Sequence, residues 1–358
     1  MSSDAEVSAW KPRPGEDVCI CGIGARTAVG LSAEASAAAV RGSISGLGLH
    51  PFFVDQDDEP VSFAADPAIA PDTPIAERML YMLQSVAEEA QSQIPSTIKI
   101  DGVWLALPEP RSGLPADLAS RLAAAQPGNT DLLQGSIQAL SRGHAGGLMA
   151  LQAAAQALSR GEVQTALVIG VDSYHDIRTI ASLDLRRRLM SARNRSGFPP
   201  GEAAGACLLV RSEVAERLGL PILARLLSAA TAAERHPLRS TEPCLGEGLT
   251  AVLASVGGSL RAAHDLITAS YCDLNGERYR NEEYLYALMR TQEAFVDPHD
   301  YISPADCWGD VGAASGPLFA VLAVASSMRG YAKGSVPVLW AGSDTGYRSA
   351  VALGLGQS

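Results

Sequence analysis

The residue best placed for chemistry in this 358-residue chain is His144, in the run Gly143-His144-Ala145-Gly146-Gly147-Leu148. The Ala- and Leu-rich segment from Leu148 to Leu158 follows it, and Val163 to Asp172 then forms an apolar strand closing on Gly170-Val171-Asp172. His144 therefore stands at a helix N-terminus. Free N–H groups and the positive end of the helix dipole collect there, which favours a negative nucleophile or a developing oxyanion and disfavours a charged imidazole. Taken alone, His144 is expected to be neutral, with a pKa lowered by the dipole and a ring held by one backbone hydrogen bond. The other histidines, at 50, 175, 236, 264 and 299, show no metal-ligand spacing, so no metal is expected.

Six cysteines, at 19, 21, 207, 244, 272 and 307, include no Cys-x-x-Cys pair and read as reduced thiols of a cytoplasmic protein. Cys19 and Cys21 alternate along a strand and share one face, with no nearby histidine or cysteine to complete a metal site, so they read as core. Gly22-Ile23-Gly24 lacks the third glycine of a dinucleotide loop, and no cofactor is expected. A net charge of −11 argues against a general nucleic-acid binder. The local exception, Arg186-Arg187-Arg188 with Arg193 and Arg195, reads as a solvated helix face; an acidic carrier protein docked there is the alternative.

Elements that could position these residues follow from hydropathy. With 47% apolar and 19% charged residues the chain can bury a large core. No apolar run approaches the ~20 residues of a membrane-spanning helix, the longest being Pro317 to Ala325, so no membrane is expected. Short apolar strands alternate with Ala-rich helices, the pattern of an α/β protein with a mostly parallel sheet covered on both faces. Strands are expected at Asp101–Leu107 and Thr165–Gly170, with Leu148–Leu158 as a helix buried on all sides. After Val210 the pattern restarts, with a strand near Ile222–Leu227, a helix from Gly246 to Leu260, a strand at Leu266–Ser270 and a helix at Glu282–Thr291. Met1 to Asp17 is polar and dotted with proline, and reads as a flexible tail over residues 1–16.

Four ordered segments resemble the β-ketoacyl synthases of the thiolase-fold superfamily. Val18 to Gly24, Thr27-Ala28-Val29-Gly30 and Arg41 to Gly46 are similar to the family's opening strand, its Thr-Pro-Leu-Gly turn and its Gly-x-Ser-Gly. Gly143 to Leu148 is similar to the Ala-Cys-x-x-x-Leu elbow, Arg195 to Gly205 to the Arg-Asp-Gly-Phe-x-x-Gly-Glu-Gly-Ala-Gly segment, and Trp308 to Gly316 to the Gly-His-x-x-Gly-Ala-x-Gly segment. The resemblance implies an α-β-α-β-α layered fold of two pseudo-repeated halves, 17–217 and 218–358, with the seam near Leu218–Pro221. It also implies that the helix after His144 lies at the centre of the molecule.

Family chemistry uses a cysteine thiolate at the elbow to accept an acyl group, and two histidines that stabilise charge as the extender loses carbon dioxide. By the resemblance, His144 stands at the cysteine's place, Cys272 (within one position, in Ala269 to Gly276) at the first histidine's, and Asp310 at the second's. The family's lysine would fall at Ala305, and its closing Gly-Phe-Gly-Gly turn at Thr345-Gly346-Tyr347-Arg348. Two functions follow as expectations. One is a catalytically degenerate protein that acts as an adaptor or partner subunit, as chain-length factors do or in bacterial effector-secretion loci. The other is an acyltransferase or thioesterase in which Cys272, His144 and Asp310 serve as nucleophile, base and orienting group. Expected partners are a second copy of the chain or a thiolase-fold paralogue, and a carrier protein or secreted effector.

Overall fold

A computed structural model describes residues 6–125 and 133–356. After β1 (Ser8–Trp10) come β2 (Val18–Thr27), α1 (Ala33–Arg41), a separate hairpin of β3 (Gly48–Val54) and β4 (Pro60–Phe63), α2 (Ile75–Ser92) and β5 (Ile100–Leu107). The first half continues with α3 (Leu118–Ala124), β6 (Leu133–Ser141), α4 (Gly146–Ser159), β7 (Thr165–Ser173), α5 (Ile177–Leu185), β8 (Glu202–Arg211) and α6 (Ser212–Leu218). The pattern then restarts with β9 (Ala224–Ala233), α7 (Glu247–Arg261), β10 (Ala269–Cys272), α8 (Arg278–Thr291) and β11 (Tyr301–Ile302). It ends with α9 (Ala305–Trp308), α10 (Ser315–Met328), β12 (Pro337–Gly342) and β13 (Tyr347–Leu355).

Five strands of each half share one internal order, β6-β5-β7-β8-β2 in the first and β11-β10-β12-β13-β9 in the second. In each set four strands run one way, and β8 or β13 reverses between its two neighbours. The pairs Val18↔Leu226, Cys19↔Arg225 and Ile20↔Ala224 splice β2 to β9, so the two sets form one continuous sheet instead of two separate ones. Helices α4 and α10 lie between the two sets and contact strands of both, whereas α2 covers the outer face of the first and α7 that of the second. This is the α-β-α-β-α layering that the resemblance implies.

The strands in this arrangement have no solvent face, which is why β2, β7 and β12 are buried at every residue and read as near-continuous apolar runs. Helix α10 is buried without interruption from Ser315 to Ser326. Helix α4 comes close to that, with a half-buried stripe at Met149, Ala153 and Gln156. The two central helices meet at glycines. A Cβ on Gly147 would lie 2.5 Å from Pro317 Cδ, and one on Gly316 would lie 2.6 Å from the Leu148 backbone nitrogen.

Several boundaries differ from expectation. β9 runs on to Ala233 because it pairs with β13 along most of its length. β10 occupies 269–272 where 266–270 was expected, and α8 begins one turn early at Arg278. The expected flexible tail is corrected at β1: Ser8, Ala9 and Trp10 pair with Thr231, Ala230 and Ala229, and Gln152 Nε2 donates to the Ser8 carbonyl at 2.9 Å. Val7 and Trp10 pack on the core, and that apolar contact holds the segment down. Residues 1–5 of the expected tail lie outside the described residues. All six cysteines are unbridged, and Cys19 and Cys21 are fully buried on one face with their sulfurs 3.5 Å apart. Among the described residues no helix is long and apolar enough to cross a membrane.

Candidate functional site

The site lies where the two central helices begin. β6 passes through Arg142 into one 3₁₀ turn, Gly143–Ala145, and then into α4. Gly143 has φ +61°, a left-handed conformation that makes the turn sharp and faces His144 inward. α10 opens in the same way, with a turn at Gly312–Ala314 and Gly312 at φ +47°. Asp310 sits just ahead of that second turn. Two equivalent elbows thus bring His144 and Asp310 together.

His144 Nε2 lies 2.8 Å from Asp310 Oδ1 and 2.9 Å from Oδ2. Asp310 also accepts from Asn275 Nδ2 at 2.6 Å, the Gly312 backbone N–H at 3.0 Å and Tyr174 OH at 3.4 Å. Burial alone would push the Asp310 carboxyl up, but the charge and hydrogen bond of His144 and the nearby Arg280 hold it far below the usual carboxylate range. An ionised carboxylate only accepts, so the proton sits on Nε2. Burial likewise works against charge on His144, and Arg280 adds to that. Asp310 outweighs both, and the imidazole pKa is raised. The expectation of a lowered imidazole pKa and one backbone hydrogen bond is corrected on this point: a carboxylate from the other half overrides the helix dipole.

A shell of buried ion pairs surrounds the pair. Arg280 donates to Asp273 at 2.7 Å and to the Gly342 carbonyl at 2.8 Å, and its Nη2 lies 3.4 Å from His144 Nε2. Arg188 reaches Glu277 through two bonds of 2.7 Å and Asp344 at 2.5 Å, and Tyr279 OH donates to Asp344 at 3.1 Å. Arg188 therefore departs from the expected solvated helix face: it follows α5 and turns into the site with 11% of its side chain exposed. Arg186 and Arg195 are exposed, and the exposed Arg187 and Arg193 both pair with Asp57.

Cys272 is not joined to this pair. Its thiol donates to the Ile302 carbonyl at 3.7 Å and packs in the second half's outer core with Tyr284 and Trp340. Burial pushes it well above the usual thiol range, opposite to what a nucleophile needs. From the same strand end it is Asp273 and Asn275 that reach the site. The space lined by His144, Cys272, Asp310, Trp308 and Phe319 is about 10 Å³, barely the room of one water. Outside His144 a small cleft of about 60 Å³ opens between Glu109, Arg111, Tyr174, Arg188 and Arg239. Arg111 lies over the Tyr174 ring at 4.1 Å and pairs with Asp172 at 2.6 Å.

Arg188, Arg280, Asp273, Asn275, Glu277 and Asp344 were not among the residues expected at the site. The one local sign of them was the dense polar run from Asp273 to Arg280 straight after an apolar strand.

Comparison with known proteins agrees with this architecture. The sequence model of the β-ketoacyl synthase N-terminal domain matches residues 116–215. No curated protein matches the chain by sequence. Among solved structures, the ketosynthase from module 6 of the bacillaene synthase of Bacillus subtilis aligns with a TM-score of 0.75 at 15% identity, covering 95% of this chain and 72% of that one. A ketosynthase domain for oxazolomycin from Streptomyces albus aligns with a TM-score of 0.76 at 16% identity, over 95% of this chain and 75% of that one. The ishigamide ketosynthase/chain length factor aligns with a TM-score of 0.76 at 15% identity, over 97% of this chain and all of that one. The chain has the thiolase-like fold of the ketosynthases.

Proposed function

We propose that this ketosynthase-fold chain does not condense acyl units and acts as a binding or partner subunit. The observation that carries the reading is the His144–Asp310 ion pair at the mouths of the two central helices, the places where the resemblance puts a nucleophilic cysteine and a histidine. With its Nε2 proton held by the Asp310 carboxylate, the imidazole has no lone pair at that atom to serve as the missing nucleophile. The space beside it is about 10 Å³ and the cleft outside it about 60 Å³, far below the roughly 300 Å³ and more of a small-molecule pocket. The rival reading, a Cys272–His144–Asp310 enzyme, has less support, because the Cys272 thiol is bonded to the Ile302 carbonyl and raised by burial.

Two comparisons suggest the type of partner. One similar structure is a ketosynthase/chain length factor, and another holds an acyl-carrier protein in complex with its ketosynthase. This chain is read as pairing with a second thiolase-fold chain, itself or a paralogue, through the free edge of β6. It is also read as meeting an acidic carrier or a secreted effector with the arginines around the cleft. A cytoplasmic location fits its six unbridged thiols.

The test is incubation with acyl- and malonyl-carrier thioesters. Neither β-ketoacyl product nor carbon dioxide should exceed a no-protein control, and His144→Cys alone should not change that, because Asp310 stands at one histidine's place and the end of β10 brings Asp273 and Asn275, not a histidine, to the site. Condensation by the unmodified chain would overturn the reading.

A further inference from the structure

A second cluster lies away from the central elbows, where β9 ends and α7 begins. Glu234 follows β9, Cys244 precedes α7, and Glu283 projects from α8. One donor atom of each, two carboxylate oxygens and a sulfur, lies within 4.8 Å of the other two. Donors around one tetrahedral zinc ion lie roughly 3.3–3.6 Å apart, so binding would draw these three side chains inward.

Glu234 provides an independent indication. It is 5% exposed, and its Oε2 accepts from the Gly248 N–H at 2.7 Å, whereas its Oε1 is buried with no hydrogen-bond partner. An acceptor without a donor in such a place is costly to bury unless something positive meets it. Glu283 has its cation already: Arg348 binds it through bonds of 2.5 and 3.0 Å, and each of its oxygens retains a second lone pair. With Cys244 as thiolate the three ligands carry three negative charges, Arg348 offsets one, and a divalent ion balances the other two.

We propose that Glu234, Cys244 and Glu283 form a site for a borderline-soft divalent cation of the zinc class. The mixed sulfur and oxygen donors suit zinc better than magnesium or calcium, which take oxygen alone. As the sulfur–metal bond forms, the Cys244 proton leaves to solvent, and the half-buried position of Cys244 leaves a way in for the ion and a coordination position for water. The bound ion closes the loop from 234 to 244. That loop carries Arg239 to the cleft beside His144, so the ion fixes part of the cleft's wall.

The experiment uses full-length metal-free protein, titrated with Zn²⁺ by calorimetry and with Co²⁺ by absorption. Expected are one ion per chain, a thiolate-to-cobalt charge-transfer band, and a rise in Tm on adding Zn²⁺. Cys244→Ser should abolish the band, and both Cys244→Ser and Glu234→Gln should weaken Zn²⁺ binding at least tenfold with circular dichroism unchanged. If one substitution unfolds the chain, the other still decides the outcome. Absence of saturable one-to-one binding, or binding that survives both substitutions, overturns the proposal.

Discussion

Asp310 accepts a hydrogen bond from the Nε2–H of His144 from a position 166 residues later in the chain, across the seam between two pseudo-repeated halves. The pair ties the start of α4 to the start of α10. It also makes the stability of the seam depend on pH, in a direction the geometry fixes.

His144 has its pKa raised in the folded chain, so its contribution is complete below the unfolded value of about 6.5 and is lost as pH rises through the folded value. Asp310 has the opposite shift and keeps its contribution at any pH above the unfolded carboxylate value of about 3.9. Tm measured from pH 6 to 9 should therefore fall in the wild type more steeply than in His144→Gln. Parallel curves would mean that the imidazole does not titrate against Asp310.

Iodoacetamide labelling should follow exposure. In metal-free protein Cys244, half-buried, should react first, and Cys272 should react roughly tenfold or more slowly, since burial raises its thiol further. Peptide mapping across pH 5 to 9 reads this directly. Selective labelling of Cys272 that disappears in His144→Ala would restore the enzyme reading.

Arg78 and Glu202 are both fully buried and joined by bonds of 2.5 and 2.9 Å, and Glu202 also accepts from Ser173 and the Asp66 N–H. Glu202→Gln leaves the guanidinium without its counter-charge and should cost about 3–5 kcal/mol in denaturant unfolding, whereas Arg78→Met with Glu202→Leu should recover most of it. A single-variant cost under about 1 kcal/mol would show that water compensates the charge.

Light scattering at micromolar concentration should find a dimer. By the thiolase-fold resemblance, the strand before the elbow, Leu132 to Ser141, pairs across a twofold; it corresponds to β6 from Leu133 on, with Leu132 outside the described residues. Among the described residues β6 ends the sheet order, and Ser136, Gln138 and Ala139 on it are exposed, so it presents an edge that can extend the sheet into a second copy. A strict monomer would remove this contact, and dimerisation only with a paralogue would make the chain one half of a mixed pair.

The layers were legible in the sequence because buried strands and central helices leave local marks. β5 and α7 are apolar runs of the right length, and the glycines at 143 and 147 mark a sharp turn and a close helix crossing. The site was legible only in outline. His144 could be placed at an elbow, but the sign of its shift could not, because the dipole is local and Asp310 is remote. Cys272 was misplaced for a related reason: successive residues on a strand face opposite ways, so an uncertainty of one position exchanges an outer-core thiol for Asp273, the neighbour that meets Arg280. The shell of Arg188, Arg280 and Asp344 spans 156 residues from first pair to last and leaves no periodic trace.

At the crossing, Gly147 meets the Pro317 ring and Gly316 meets the Leu148 backbone, so the spacing of the elbows is set by backbone and a rigid ring more than by side chains free to change rotamer. His144 and Asp310 cannot adjust their separation independently of that contact. A methyl group added at either glycine would act as a wedge, and its effect would register at the far end of the wedge as an altered imidazole titration. Packing and protonation in this molecule are therefore two readings of one distance.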